Sequence, residues 1–272
     1  MNEAIESVRR YYDENAVMEW ERLERHPFEF LFTTYMMDKY IRPGDRILDI
    51  GGGPGRYALH YAEKGCDVTL ADLSEGNTAL AQEKARQRGV PLRCITANCL
   101  ALDAWELGHF DHVFLMGPLY HLPEQADREQ AVNIALRHLK KDGCLYCSFI
   151  LVFAGIIYDL KNGPGFLPQD LGNSDTVRLI DAITQGKEYT GPAFTSACFM
   201  HQTGIEPFMR GFPVDKLHLF GQEGILALNE KQLLTFPKEE LDLWIETAKL
   251  FLELPELLAL SEHAMYIGRK RG

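Results

Sequence analysis

The sequence predicts an α/β fold, a doubly wound and mostly parallel sheet with helices on both faces. Three observations predict it. Short apolar runs alternate with helical periodicity between residues 46 and 151. The segments between those runs are long enough for right-handed crossovers. The first run, RILDI, stops at Gly51, Gly52, Gly53, Pro54 and Gly55 and restarts at once as a helix. A chain of 272 residues, 46% hydrophobic and 25% charged, can bury such a core as an ordinary soluble protein.

Taken in order, residues 3–40 read as helical. Tyr11, Tyr12, Trp20, Leu23, Phe28, Phe30 and Leu31 recur near helical spacing, with Pro27 as a break. Residues 42–45, Arg-Pro-Gly-Asp, form a turn. A strand over 46–50 leads into the glycines, and a helix over 56–64 stops at Gly65. A strand over 67–71 ends at Asp72, and Ser74 caps a helix over 75–88 that stops at Gly89. Strands follow over 92–96 and 112–116, then a helix over 124–139, a turn at 141–143 and a strand over 144–151.

The rhythm then breaks. Residues 152–193 hold Asn162-Gly163-Pro164-Gly165, a helix over 174–183 and the turn Thr190-Gly191-Pro192; residues 194–201 read as extended. It resumes with a helix ending near Gly211, a strand over 215–220, a helix over 238–252 and a strand over 264–268. The expected division is an N-terminal helical lid (1–42), a cofactor-binding core (43–151), a cap or substrate insertion (152–212) and the C-terminal part of the core sheet (213–272).

A net charge of −11, from 28 basic and 39 acidic residues, argues against a nucleic-acid surface. The basic cluster Arg269, Lys270 and Arg271 reads as a solubilising tail. Cys144 and Cys147 form a C-x-x-C inside an apolar run, with no second pair at zinc spacing, so a reduced core and no metal site are expected. The stretch MNEAIESVRRYYDEN lacks an apolar signal core, and the longest apolar run, 148–157, is too short for a bilayer. A cytoplasmic protein with no membrane partner is expected.

A strand that ends in glycines and restarts as a helix brings unpaired N–H groups to the carboxyl ends of parallel strands, where ligands bind. Asp49 bears on which ligand. A carboxylate two residues ahead of the first glycine repels a pyrophosphate and attracts an ammonium or sulfonium group. The plainer roles are that Asp49 bonds turn amides, Asp72 caps the next helix, Asn98 is a turn residue and Tyr11 is core.

With these residues in view, the sequence resembles the class I S-adenosyl-L-methionine-dependent methyltransferases. Their acidic-x-Gly-x-Gly-x-Gly motif is matched by Asp49 through Gly55, their acidic residue after the second strand by Asp72, and their polar residue after the third strand by Asn98, where Asp is usual. Their apolar fourth strand is matched by FDHVFLMGPLYHL. The resemblance covers residues 44–150 well and implies a Rossmann-like sheet of seven strands. It implies that Gly51, Gly52, Gly53 and Gly55 let methionine and ribose lie against backbone, and that Asp49 faces the amino end. Asp72 would accept both ribose hydroxyls, Leu73 and Leu100 sandwich adenine, and Asn98 and the Cys99 N–H contact its edge. Met116 and Gly117 would border the methionine portion, and Tyr11 reach the cofactor carboxylate.

The implied reaction is methyl transfer from S-adenosyl-L-methionine, releasing S-adenosyl-L-homocysteine, to an oxygen or nitrogen of a small molecule, with sulfur the remaining option. His121, just past the fourth strand, is the expected general base; the alternative is a polar loop residue. Trp20, Tyr120, Phe153 and His201 are expected to line the acceptor's pocket, with other aromatics of the two added segments, Phe194 among them. GPLY stands where nucleic-acid amino-methylating members carry an NPPY-type motif, which points to a small-molecule acceptor. A monomer or homodimer is expected. The competing readings are an NAD(P)-dependent Rossmann oxidoreductase and a non-catalytic S-adenosyl-L-methionine-binding protein.

Overall fold

The computed structural model describes residues 3–163, 171–193 and 195–272. Pro164, Gly165 and Phe194 lie outside them. The chain opens with α1 (Glu3–Arg25) and α2 (Pro27–Met37), separated as expected at Pro27. Asn15 breaks α1 with non-helical angles (φ −122°, ψ 17°), and its side-chain amide donates to the Tyr11 carbonyl. There follow β1 (Arg46–Ile50), α3 (Arg56–Glu63), β2 (Asp67–Asp72), α4 (Glu75–Arg88), β3 (Arg93–Thr96) and β4 (Phe110–Leu115). Then come α5 (Gln125–His138), β5 (Leu139–Leu151) and α6 (Ala154–Asn162). Ser74 caps α4 by accepting from the Asn77 N–H, and Gly89 ends it in the left-handed region.

Next come α7 (Ser174–Gln185), β6 (Tyr189–Pro192) and β7 (Ser196–Met200). The chain continues through α8 (Gln202–Met209), β8 (Val214–Gly221), α9 (Glu230–Leu233), α10 (Lys238–Lys249), α11 (Pro255–Leu258) and β9 (His263–Lys270). No described helix is long and apolar enough to cross a membrane.

The described strands form one nine-stranded sheet, not the seven expected. Seven make the order β3-β2-β1-β4-β5-β9-β8; β3 through β5 run parallel, and β9 and β8 are antiparallel to their neighbours. The two extra strands are β6 and β7, an antiparallel pair. Ile150 pairs with His263 of β9 and with Phe199 of β7, so β7 takes up the side of β5 that β4 has left. The sequence signals a turn at Thr190-Gly191-Pro192, yet an edge strand accepts Pro at its end because no ladder donor is needed there. The expected turn at 141–143 is an irregularity inside β5: Leu139 pairs with Phe110 and Cys144 with His112, and Asp142 takes φ +61°.

Side chains alternate across the sheet. Ile47, Phe114, Tyr146, Met265 and Ile267 pack with Phe28, Phe32 and Met36 of α2, Tyr61 of α3 and Ile245 of α10. Leu48, Ile50, Val113, Leu115, Leu145 and Tyr266 pack with Val132 and Leu136 of α5, Ile205 of α8 and Leu258 of α11. Cys144 joins the first layer and Cys147 the second, so the two thiols of the C-x-x-C lie on opposite faces of β5. This double cover leaves the carboxyl ends of β1, β2 and β4 side by side, and the site forms there.

Candidate functional site

Two loops meet at these strand ends. Gly51 follows β1 and Gly117 follows β4. A Cβ on Gly51 would lie 2.6 Å from the Pro118 ring, and one on Gly117 would lie 2.7 Å from the Gly51 carbonyl oxygen. Only residues without side chains allow the loops this close. Gly52 sits over the Asp49 carboxylate, and Gly55 packs on Ala81 of α4.

Asp72 ties the region together. Its Oδ2 accepts from the Gly53 N–H at 2.8 Å, and its Oδ1 accepts from the Ser74 N–H at 2.9 Å and the Asn77 Nδ2–H at 3.2 Å. It is 7% exposed, and burial lifts its pKa against the pull of these three donors. Asp49 is 2% exposed and lies beneath the turn; burial first, and the charge of Asp72 second, push its pKa up to about 7. Its Oδ2 has no hydrogen-bond partner.

These loops border a cavity of about 730 Å³, its open mouth included. One end is walled by Leu73, Ala97, Asn98 and Cys99, the middle by Gly51, Gly53, Asp72 and Asn77, and the far end by Gly117, Pro118, Tyr120 and His121. Helix α1 roofs it with Ile5, Val8, Tyr12 and Glu19. Asp13 pins the roof, its Oδ1 accepting from Ser74 Oγ at 2.7 Å and the Gly76 N–H at 3.2 Å. Glu19 is paired with Arg22 at 2.7 Å.

The far wall carries a hydrogen-bonded chain. Tyr12 Oη lies 2.9 Å from His121 Nε2, and His121 Nδ1 lies 3.0 Å from Thr195 Oγ1. Burial drives the His121 pKa down to about 3, so the imidazole is neutral at physiological pH. Behind it the Arg128 guanidinium donates to the carbonyls of Leu122 at 2.9 Å and Pro123 at 2.7 Å, and pairs with Glu188 at 3.2 Å.

Of the residues expected at the site, Gly51, Gly53, Asp72, Leu73, Asn98, Cys99, Gly117, Tyr120 and His121 line this one cavity. Asp49, Gly52 and Gly55 build the turn beneath it, while Leu100 and Met116 pack against the two core layers. Tyr11 points outward at 37% exposure with its ring edge on Tyr12; one helical step of about 100° turns its neighbour inward instead. Trp20 is buried with Leu59 and Ala85, and the Lys84 ammonium stands 3.8 Å from its ring centroid. Phe153 packs with the β5–β7 cluster, and His201 caps α8 through the Thr203 N–H, its ring 6.0 Å from Phe153. Neither is on the cavity wall.

Sequence reasoning did not pick out Tyr12, Glu19, Asn77, Thr195 or Arg128. Tyr12 had a signal, standing beside Tyr11 on a helix that can turn only one of them inward. Asn77 had another, falling one turn into α4 where it reaches back to Asp72.

Residues 47–143 match the family described as a methyltransferase domain. Residues 47–143 thus form a methyltransferase domain, and the chain is similar to the class I S-adenosyl-L-methionine-dependent methyltransferases. Among methyltransferases it is 26% identical over 188 residues to a ubiquinone biosynthesis O-methyltransferase of Bordetella avium, covering 68% of this chain and 73% of that one. A protein of the same name from Chromobacterium violaceum is 34% identical over 131 residues, 44% of this chain and 54% of that one. A putative methyltransferase of Geobacillus is also 34% identical, with 46% of its length matched. The chain thus spans about half the length of these last two. Among solved methyltransferases, magnesium protoporphyrin IX methyltransferase of Synechocystis superposes with a TM-score of 0.59 at 14% identity, covering 98% of this chain and all of that one. A 1,6-didemethyltoxoflavin-N1-methyltransferase of Burkholderia thailandensis gives 0.58 at 15% identity, covering 98% and 88%. At such identities the likeness is one of fold.

Proposed function

We propose that this methyltransferase binds S-adenosyl-L-methionine in the cavity under α1 and transfers its methyl group to a small molecule. The observation that carries the reading is Asp72: its carboxylate stands at the tip of β2, walls the cavity and holds the Gly53 amide, so one side chain aligns the glycine loop and faces the ligand. The residues fit the cofactor. Asp72 Oδ2 has one donor while Oδ1 has two, which leaves Oδ2 the freer to accept a ribose hydroxyl. Asn98 Oδ1 is taken by the Leu100 N–H at 2.9 Å, so its side chain offers NH₂ donors to adenine ring nitrogens. Asp49 lies beneath the turn with an unpartnered oxygen, where a cationic amino end would favour its ionised form.

When bound, the cofactor supplies an electrophilic methyl whose thioether leaving group is neutral, so the protein needs no acid to expel it. The chain's own task is alignment and exclusion of water. The α1 roof, the apolar side chains of Ile5, Val8 and Leu122, and the Tyr12 and Tyr120 rings serve both. The charge balance and the cavity roofed by α1 support a small acceptor rather than a polymer.

Calorimetry with S-adenosyl-L-homocysteine tests this. Asp72→Ala is expected to lose about 1–3 kcal/mol of binding through the unpaired ribose diol. Affinity for NAD but none for S-adenosyl-L-homocysteine would reverse the reading.

A further inference from the structure

We propose that Tyr12 receives the methyl acceptor: its phenol oxygen takes a hydrogen bond from an N–H or O–H on the accepting atom, with His121 and Thr195 as positioning residues behind it. This rests on the reading above of where the cofactor lies. With adenine at Leu73–Cys99, ribose at Asp72 and methionine against Gly51–Gly55, the polar side chains on the wall left for the acceptor are Tyr12, Glu19, Tyr120 and His121. Within it the carboxylate of Glu19 is engaged by Arg22 through two hydrogen bonds. Tyr12 is the one with an oxygen whose direction is set from behind.

The chain of donors sets that direction. In the tautomer this proposal assigns, the Thr195 hydroxyl donates its proton to the Ser196 carbonyl at 3.4 Å, and Thr195 Oγ1 accepts from His121 Nδ1–H at 3.0 Å. A neutral imidazole carries one N–H, which leaves Nε2 as acceptor for the Tyr12 phenol. The phenol spends its proton on His121 and turns its lone pairs elsewhere, and its ring borders the cavity. Burial keeps the phenol protonated and the imidazole uncharged, so neither stores a proton; the pair orients.

This selects the acceptor's chemistry. A nitrogen or oxygen bearing hydrogen satisfies the lone pairs of Tyr12. A carbon nucleophile or a tertiary amine leaves them facing a group that cannot donate, at the cost of an unpaired buried acceptor. The substrate class is therefore a primary or secondary amine, an amide-type ring N–H, or a hydroxyl compound.

The test needs no acceptor. Sinefungin carries an amine in place of the sulfonium methyl and so presents N–H donors where the methyl would point. Calorimetry should show that the wild type prefers sinefungin to S-adenosyl-L-homocysteine. Tyr12→Phe should cut that preference about tenfold while leaving homocysteine-analogue binding within about threefold. Thr195→Val, which removes only the anchor, should shift the ratio the same way by about threefold. An unchanged ratio in either variant that melts as wild type overturns the assignment. Failure of wild-type protein to bind S-adenosyl-L-homocysteine would instead sink the cofactor reading on which it rests.

Discussion

A Cβ on Gly76 would stand 2.8 Å from the carbonyl oxygen of Asp13. The first turn of α4 and the middle of α1 touch backbone to backbone, and Asp13 uses that closeness to cap α4 from another helix. Gly76→Ala should therefore push the roof off the cavity. The expected result is a loss of about 1–3 kcal/mol in S-adenosyl-L-homocysteine binding by calorimetry, with Ser74 still capping α4 and helical content by circular dichroism unchanged.

Asp49 should make the protein less stable as the solution becomes more alkaline. Its native pKa, raised to about 7 by burial and by Asp72, lies above the value of an unfolded carboxyl. Between pH 4 and 7 the native chain thus holds a proton that the unfolded chain has lost, so stability falls as pH rises through this window and levels off above it. Asp49→Asn removes the slope and should gain about 1 kcal/mol or more at pH 8. Melting curves of both proteins at pH 5, 6 and 8 decide it; parallel behaviour would mean that Asp49 is ionised throughout.

His263 should add a second alkaline loss. Burial opposes its charge, but Glu223, bonded to Nδ1 at 2.5 Å, prevails with help from Glu29 and Glu262 and lifts the pKa to about 9. The pair's contribution is whole below about pH 6.5 and is lost as pH rises through 9. Glu223→Gln should lower the melting temperature at pH 6 and remove the part of the decline between pH 7 and 9.

Arg128 is 1% exposed and is the donor for two loop carbonyls next to His121. Arg128→Met keeps the bulk but strands both acceptors. Urea unfolding should show a loss of about 2–4 kcal/mol. Glu188 lies at the surface, so Glu188→Gln should cost less than about 1 kcal/mol.

What the sequence made legible was local. The glycine turn, Asp72 at its strand end and Asn98 after the third strand each follow from a few neighbouring residues, and the structure gathers Gly51, Gly53, Asp72 and Asn98 on one cavity. What escaped depends on how distant segments meet. Tyr12 rather than Tyr11 faces inward because α1 lies on α4 at Gly76, and Thr195 reaches His121 only because β7 pairs with β5. Strand β6 escaped because its Gly-Pro ending carries a turn signal that pairing with β7 overrides.

The antiparallel partner of β5 has a bearing on how the chain is made. Residues 144–150 wait for 263–269 to complete their ladder, and among the described strands β8 pairs with β9 alone. While the ribosome is still working through the intervening stretch, the nascent protein shows a long, apolar, unpaired edge. Chaperone capture, or slow synthesis near residue 263, would then set how long that edge stays exposed.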